Sequence, residues 1–114
     1  MKNAEFLNFI MEKLDNLGNF SSGRMFGGYV IKKEKLPIGL IFDSEIFLKG
    51  DTVNRSFYLE RGSEPFHYFK KGKKIDVSNY KVPAEVLEDD ETFEEWINVA
   101  FEAAVRIQRN REKQ

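Results

Sequence analysis

Four lysines flank one glycine in Lys70-Lys71-Gly72-Lys73-Lys74, and a second set of cations follows at Arg106, Arg109, Arg111 and Lys113. Ammonium and guanidinium groups at this density neutralise phosphates, so both segments are candidate contacts for nucleic acid or an acidic partner. Residues 66–81 hold five lysines against Asp76 alone, and residues 106–114 hold four cations against Glu112. Each segment also has an ordinary reading. Lysines at a hairpin tip solubilise it and discourage edge pairing. Cations at a helix C-terminus complement the helix dipole.

Other residues that do chemistry elsewhere are weaker candidates here. His67 is the only histidine and lies between Phe66 and Tyr68, so strand alternation turns it away from both. One histidine builds neither a two-histidine metal site nor a catalytic triad without distant partners. Gly27-Gly28 has the glycine content of a phosphate loop, but strand-like residues continue on both sides and no GxGxxG or GxxxxGK[ST] spacing is present. A β-bulge or close backbone packing accounts for it better. Arg24 and Lys49 stand at a strand start and a strand end, where a cation anchors a carboxylate ligand or snorkels to water. Together with Gly27-Gly28 they define the small-ligand alternative. Residues 83–95 carry seven carboxylates and no cation. Their spacing is not that of a calcium loop, and it suits the solvated, capped start of a helix. The expectation is no catalytic, cofactor-binding or metal-binding residue, no cofactor, and no enzymatic activity.

These side chains need elements to hold them. Phe6, Phe9, Ile10, Leu14 and Leu17 recur at helical spacing, which predicts a helix over residues 4–17 with Asn3 as N-cap and Gly18 as stop. Residues 19–23, Asn-Phe-Ser-Ser-Gly, read as a loop. Strands are predicted over residues 24–32, 38–42 and 46–48, with Asp43-Ser44 as a tight hairpin turn. Continuous apolarity over residues 38–42 predicts a central strand covered on both faces. Residues 51–61 read as a helix capped by Asp51, and residues 66–69 and 74–78 as a hairpin around Lys70-Lys71-Gly72-Lys73. Pro83 opens a short helical turn through Leu87. Asp89 or Asp90 caps a last helix over roughly residues 91–109, whose stripe is Phe93, Trp96, Ile97, Ala100, Phe101, Ala104 and Val105. The predicted order α-βββ-α-ββ-α is an α+β fold with a five-stranded antiparallel sheet.

At 114 residues the chain is one domain, spanning residues 1–114, with a short basic tail at about residues 106–114. The 41% apolar and 32% charged composition is that of a folded soluble protein. No apolar run reaches the ~18 residues a membrane helix needs. Cysteine is absent, which excludes disulfides, thiolate nucleophiles and cysteine-held metals. The net charge is −1, so no overall field draws the chain to nucleic acid or to a membrane. With no export signal at the N-terminus, the expected compartment is the cytoplasm.

Arg24-Met25-Phe26-Gly27-Gly28-Tyr29, Phe47-Leu48-Lys49, Gly62-Ser63-Glu64-Pro65-Phe66 and Tyr80-Lys81-Val82-Pro83 occur in an order that resembles the N-terminal domain of the TfoX/Sxy family. The likeness extends through Val86-Leu87-Glu88-Asp89 to the final helix bearing Trp96, nearly the whole chain. The resemblance implies an α+β fold with an antiparallel sheet, similar in architecture to type III secretion chaperones, which dimerise and hold protein partners. It implies a regulator. Full-length members govern natural competence in bacteria, assisting the CRP transcription activator, and carry a second domain resembling helix–hairpin–helix modules. The chain ends at Gln114, so the expectation is a stand-alone N-terminal domain. The expected function is that of a regulatory or adaptor domain with a protein partner, a homodimer being one form of it. Direct nucleic-acid binding through Lys70, Lys71, Lys73, Lys74, Arg106, Arg109 and Arg111 is the alternative. A small-ligand site or an unrecognised enzyme is the second alternative.

Overall fold

The computed structural model describes residues 2–25 and 27–113. Phe26, part of the glycine-bearing segment above, lies outside them. Helix α1 (Asn3–Leu14) leads into β1 (Phe20–Met25), β2 (Gly28–Lys33), β3 (Leu36–Phe42) and β4 (Glu45–Lys49). Helix α2 (Arg55–Glu60), β5 (Pro65–Lys70), β6 (Lys73–Lys81), α3 (Ala84–Glu88) and α4 (Asp90–Glu112) follow. The described strands form one six-stranded antiparallel sheet in the order β1-β2-β3-β4-β6-β5.

The sheet therefore has six strands, where five were expected. The additional strand is β1, in the segment read as a loop. Its Ser-Ser-Gly composition is poor for a strand, but Phe20↔Lys33 through Met25↔Gly28 pair it along its whole length with β2. As a sheet-edge strand it needs only one ladder, and its side chains are mostly exposed. The Gly27-Gly28 pair sits where β1 turns into β2, not within one strand. A Cβ on Gly28 would fall 1.9 Å from the Ile41 carbonyl oxygen, so close backbone packing requires glycine there. Between β2 and β3, Glu34 and Lys35 both take positive φ (49° and 70°), and so do Asp43 and Ser44 (51° and 57°) between β3 and β4. That is the backbone form two-residue hairpin turns use to match strand twist.

Several helix boundaries also move. Asn3 makes no cap, because its Oδ1 accepts from the Ser44 backbone N–H at 2.7 Å and is spent fastening α1 to the β3–β4 turn. Helix α1 ends at Leu14, four residues before Gly18. Asp51 caps the turn that precedes α2, accepting from the Val53 and Asn54 N–H groups, and the helix itself begins only at Arg55. The predicted basic tail is no separate segment, since α4 runs on to Glu112.

Helix α4 packs across β3 and β4, and α1 packs on β1 and β3. Phe93, Trp96, Ile97, Ala100, Ala103 and Ala104 form the buried stripe of α4. The three alanines let this helix approach the sheet closely, while Trp96 fills the space beside Phe57 and Tyr58. Ile10, Leu14, Ile31, Ile41, Ile46 and Leu48 are among the residues that join it in the main core. Strand alternation then turns Val30, Leu40 and Phe47, which are cross-strand neighbours, away from the helices. Phe66 covers Phe47 at 4.7 Å between ring centroids and meets Phe42 at 5.7 Å. None of these five belongs to the main core, so the strand over residues 38–42 is central but helices cover only one of its faces.

Candidate functional site

The β5–β6 hairpin carries Lys70, Lys71, Lys73 and Lys74 at its tip. Lys71 and Gly72 take positive φ (52° and 80°), which closes the turn in two residues and splays all four lysines into solvent. Among the described residues none of the four has an ion-pair partner. Beside them Tyr68 is 45% exposed and Phe69 69% exposed, the highest value of any large apolar side chain described. His67 is exposed as well, with its ring edge-on to Phe69 at 5.8 Å. Sequence reasoning located the lysines and did not anticipate bare aromatics next to them.

The arginines of the predicted tail separate into two kinds. Arg106 donates from Nε to Asp51 Oδ2 at 2.6 Å and from Nη2 to Asp51 Oδ1 at 3.0 Å. It is committed inside the molecule and leaves the set of candidate contacts. The guanidinium holds the Asp51 carboxyl below the usual carboxylate range. Arg109 and Arg111 remain exposed on the last turns of α4. Arg111 lies toward the end of β4, where its charge reaches Lys49.

Arg24 and Lys49, grouped above as a small-ligand site, are not brought together. They lie on strands three places apart in the sheet, about 14 Å at ~4.8 Å per step. Arg24 lines a cavity of about 380 Å³ with Asn3, Gly27, Gly28 and Tyr29. Lys49 lines another of about 360 Å³ with Asp51, Thr52, Arg55, Ser78 and Asn79. Around Lys49 the backbone is fastened from two sides. Its carbonyl accepts from Tyr58 Oη at 2.8 Å and Asn54 Nδ2 at 3.2 Å, and Gly50 N–H donates to the Ser78 carbonyl at 2.8 Å. Tyr58 is fully buried and stacked on Tyr80 at 4.8 Å, and this burial pushes its phenol pKa well up.

Two carboxylates of the acidic segment have local partners. Asp89 caps α4, accepting from the Thr92 N–H at 3.1 Å and from the Thr92 hydroxyl, and these bonds lower its pKa. Asp90 pairs with Lys13 at 3.0 Å and ties α4 to α1. Among the described residues no three histidine, aspartate or glutamate side chains group so as to hold a metal ion. No described helix is long and apolar enough to cross a membrane.

No curated protein matches the chain. The family model of the TfoX N-terminal domain matches residues 12–104, from the last turn of α1 to the last buried turn of α4. That span takes in every strand and most of the main core, and the chain belongs to the TfoX N-terminal domain family.

Proposed function

We propose that the domain is a non-enzymatic regulatory or adaptor module, of the kind found in TfoX-type competence regulators, acting in the cytoplasm through protein contacts. The helix-free face of the sheet carries this reading. Leu40, Phe42 and Phe66 are half-buried there, over Val30 and Phe47, which are buried, and helices cover only the opposite face. An apolar face rimmed by polar side chains marks a contact surface, and Glu45, Glu64 and Lys81 rim this one. A second copy of the chain is one candidate partner. The test is recovery of partners from lysate with and without nuclease, using the native chain and a Phe42→Glu/Phe66→Glu variant. A protein that survives nuclease and is lost with the variant supports the reading. Recovery indifferent to the variant overturns it, as does turnover of a small molecule that a point substitution abolishes.

Nucleic-acid binding is the second reading, favoured by the exposed Tyr68 and Phe69 beside four unpaired lysines. Proteins that hold single strands combine a stacking surface with cations in this way. Affinity for a single-stranded oligonucleotide would fall with salt at a slope of roughly −0.7 per phosphate neutralised. It would also weaken on Phe69→Ala, and a flat salt dependence ends this reading.

A further inference from the structure

Lys49 is explained by neither the apolar sheet face nor the hairpin. It ends β4 with its backbone held by α2 and β6, yet its side chain is half-buried and points at no acid. Among the described residues its Nζ has neither an ion-pair nor a hydrogen-bond partner. Burial lowers its pKa, and the neighbouring Arg111 lowers it further. Asp51, the carboxylate lining the same cavity, has nothing left to offer. Its Oδ1 accepts from Val53 N, Asn54 N and Arg106 Nη2, and its Oδ2 accepts from Arg106 Nε. Arg55, on the cavity rim, is exposed and unpaired among the described residues. The cavity of about 360 Å³ thus has two cations in its wall, Lys49 and Arg55, with no free counter-charge, and Arg111 lies outside the wall but near enough for its charge to act on Lys49; Thr52 and Ser78 also line the cavity.

We propose that this cavity binds the dianionic phosphoryl group of a small phosphate monoester, with Lys49, Arg55 and Arg111 as its cationic contacts and Thr52 and Ser78 as hydroxyl donors. One carboxylate would neutralise one cation and leave the others facing each other. A phosphoryl dianion offers three oxygens and two charges, and the guanidinium fork matches it. The volume lies at the small end of ligand pockets, roughly 300–1,000 Å³, and fits a small ligand rather than a polymer. The tip lysines are not part of the site. Lys74 lies four residues along β6 from Ser78, about 13 Å away at ~3.3 Å per residue.

The test is a ¹H–¹⁵N NMR titration of the full chain with inorganic phosphate, adenosine 5′-monophosphate, acetate and a short single-stranded oligothymidine. Saturable shifts are expected at the Gly50, Thr52, Ser78 and Asn79 amides with the two phosphates, with acetate at least about tenfold weaker. Lys49→Met and Arg111→Gln should each weaken phosphate binding by about tenfold or more. Arg111 is exposed on the last turns of α4, so its substitution leaves the fold intact and decides the matter even if Lys49→Met unfolds the chain. Alanine at Lys70, Lys71, Lys73 and Lys74 should leave phosphate affinity unchanged. Scattered shifts, equal response to acetate, or indifference to Arg111→Gln would overturn the proposal. So would binding of oligothymidine alone that is lost with the lysine hairpin, which would assign the cations to nucleic acid.

Discussion

Arg106 and Asp51, 55 positions apart in the chain, form a two-bond ion pair that locks the last turns of α4 to the β4–α2 connection. The carboxylate also orders the turn before α2 through the Val53 and Asn54 N–H groups. One side chain therefore both shapes the β4–α2 connection and ties it to α4 beside the Lys49 cavity. Removing the guanidinium leaves a mostly withdrawn carboxylate with only its backbone donors. Arg106→Ala should cost about 1.5–3 kcal/mol, the range for hydrogen bonds to charged groups. A shift of the urea midpoint at unchanged slope is the measurement, and a loss below about 0.5 kcal/mol would show that water replaces the pair.

The same pair sets an acid limit. Asp51 has its pKa lowered chiefly by the Arg106 hydrogen bond, so the folded state releases this proton at lower pH than the unfolded chain does. Its contribution is fully present above the unfolded value of about 3.9 and is lost as pH falls from there through the folded value. Asp89 titrates in the same direction through Thr92. Urea unfolding between neutral pH and the acid limit should show stability falling below about pH 4. Asp51→Asn should flatten that fall while lowering stability at neutral pH, and an unchanged acid slope would refute the assignment.

What could be read from the sequence, and what could not, follows from the range of the forces involved. The stripe from Phe93 to Ala104 repeats at helical spacing because a single face of α4 is buried, so it is visible without a fold. The Asp43-Ser44 turn is equally local. β1 is not legible, because Phe20-Ser21-Ser22-Gly23 has no pattern of its own and becomes a strand through its ladder with β2. The TfoX N-terminal resemblance rests on the order of short segments, and the family match bears it out. The four tip lysines were legible as a cluster. The capture of Arg106 by Asp51, and the approach of Arg111 to Lys49, depend on how α4 crosses the sheet, and spacing along the chain carries no trace of that.

Gly28 offers a test of the packing account of the glycine pair. A methyl group there would meet the Ile41 carbonyl oxygen at 1.9 Å, and backbone cannot rotate aside as a side chain can. Gly28→Ala must push β2 from β3 and should cost at least about 1–3 kcal/mol, the usual penalty of overpacking. Gly23→Ala is the control. Its added carbon meets nothing closer than Val30 Cγ1 at 3.8 Å, an ordinary contact. That change should stay within about 1 kcal/mol by thermal or urea unfolding. Equal losses at both positions would mean that strand entropy, not the close approach, keeps glycine at residue 28.

The lysine hairpin should separate function from stability. Lys70, Lys71, Lys73 and Lys74 are exposed and, among the described residues, unpaired, so their charges hold no part of the fold. Replacing all four with alanine should change unfolding free energy by no more than about 0.5 kcal/mol. The replacement strips the charge that keeps the aromatic strand β5 from pairing with a neighbour, so association should rise with concentration. Sedimentation velocity on the native and replaced chains measures this, and Phe69→Ser in the replaced background should return association to the native level. If the replaced chain stays dispersed at high concentration, the lysines are not edge protection. Their conjunction with Phe69 would then have to be explained by a ligand instead.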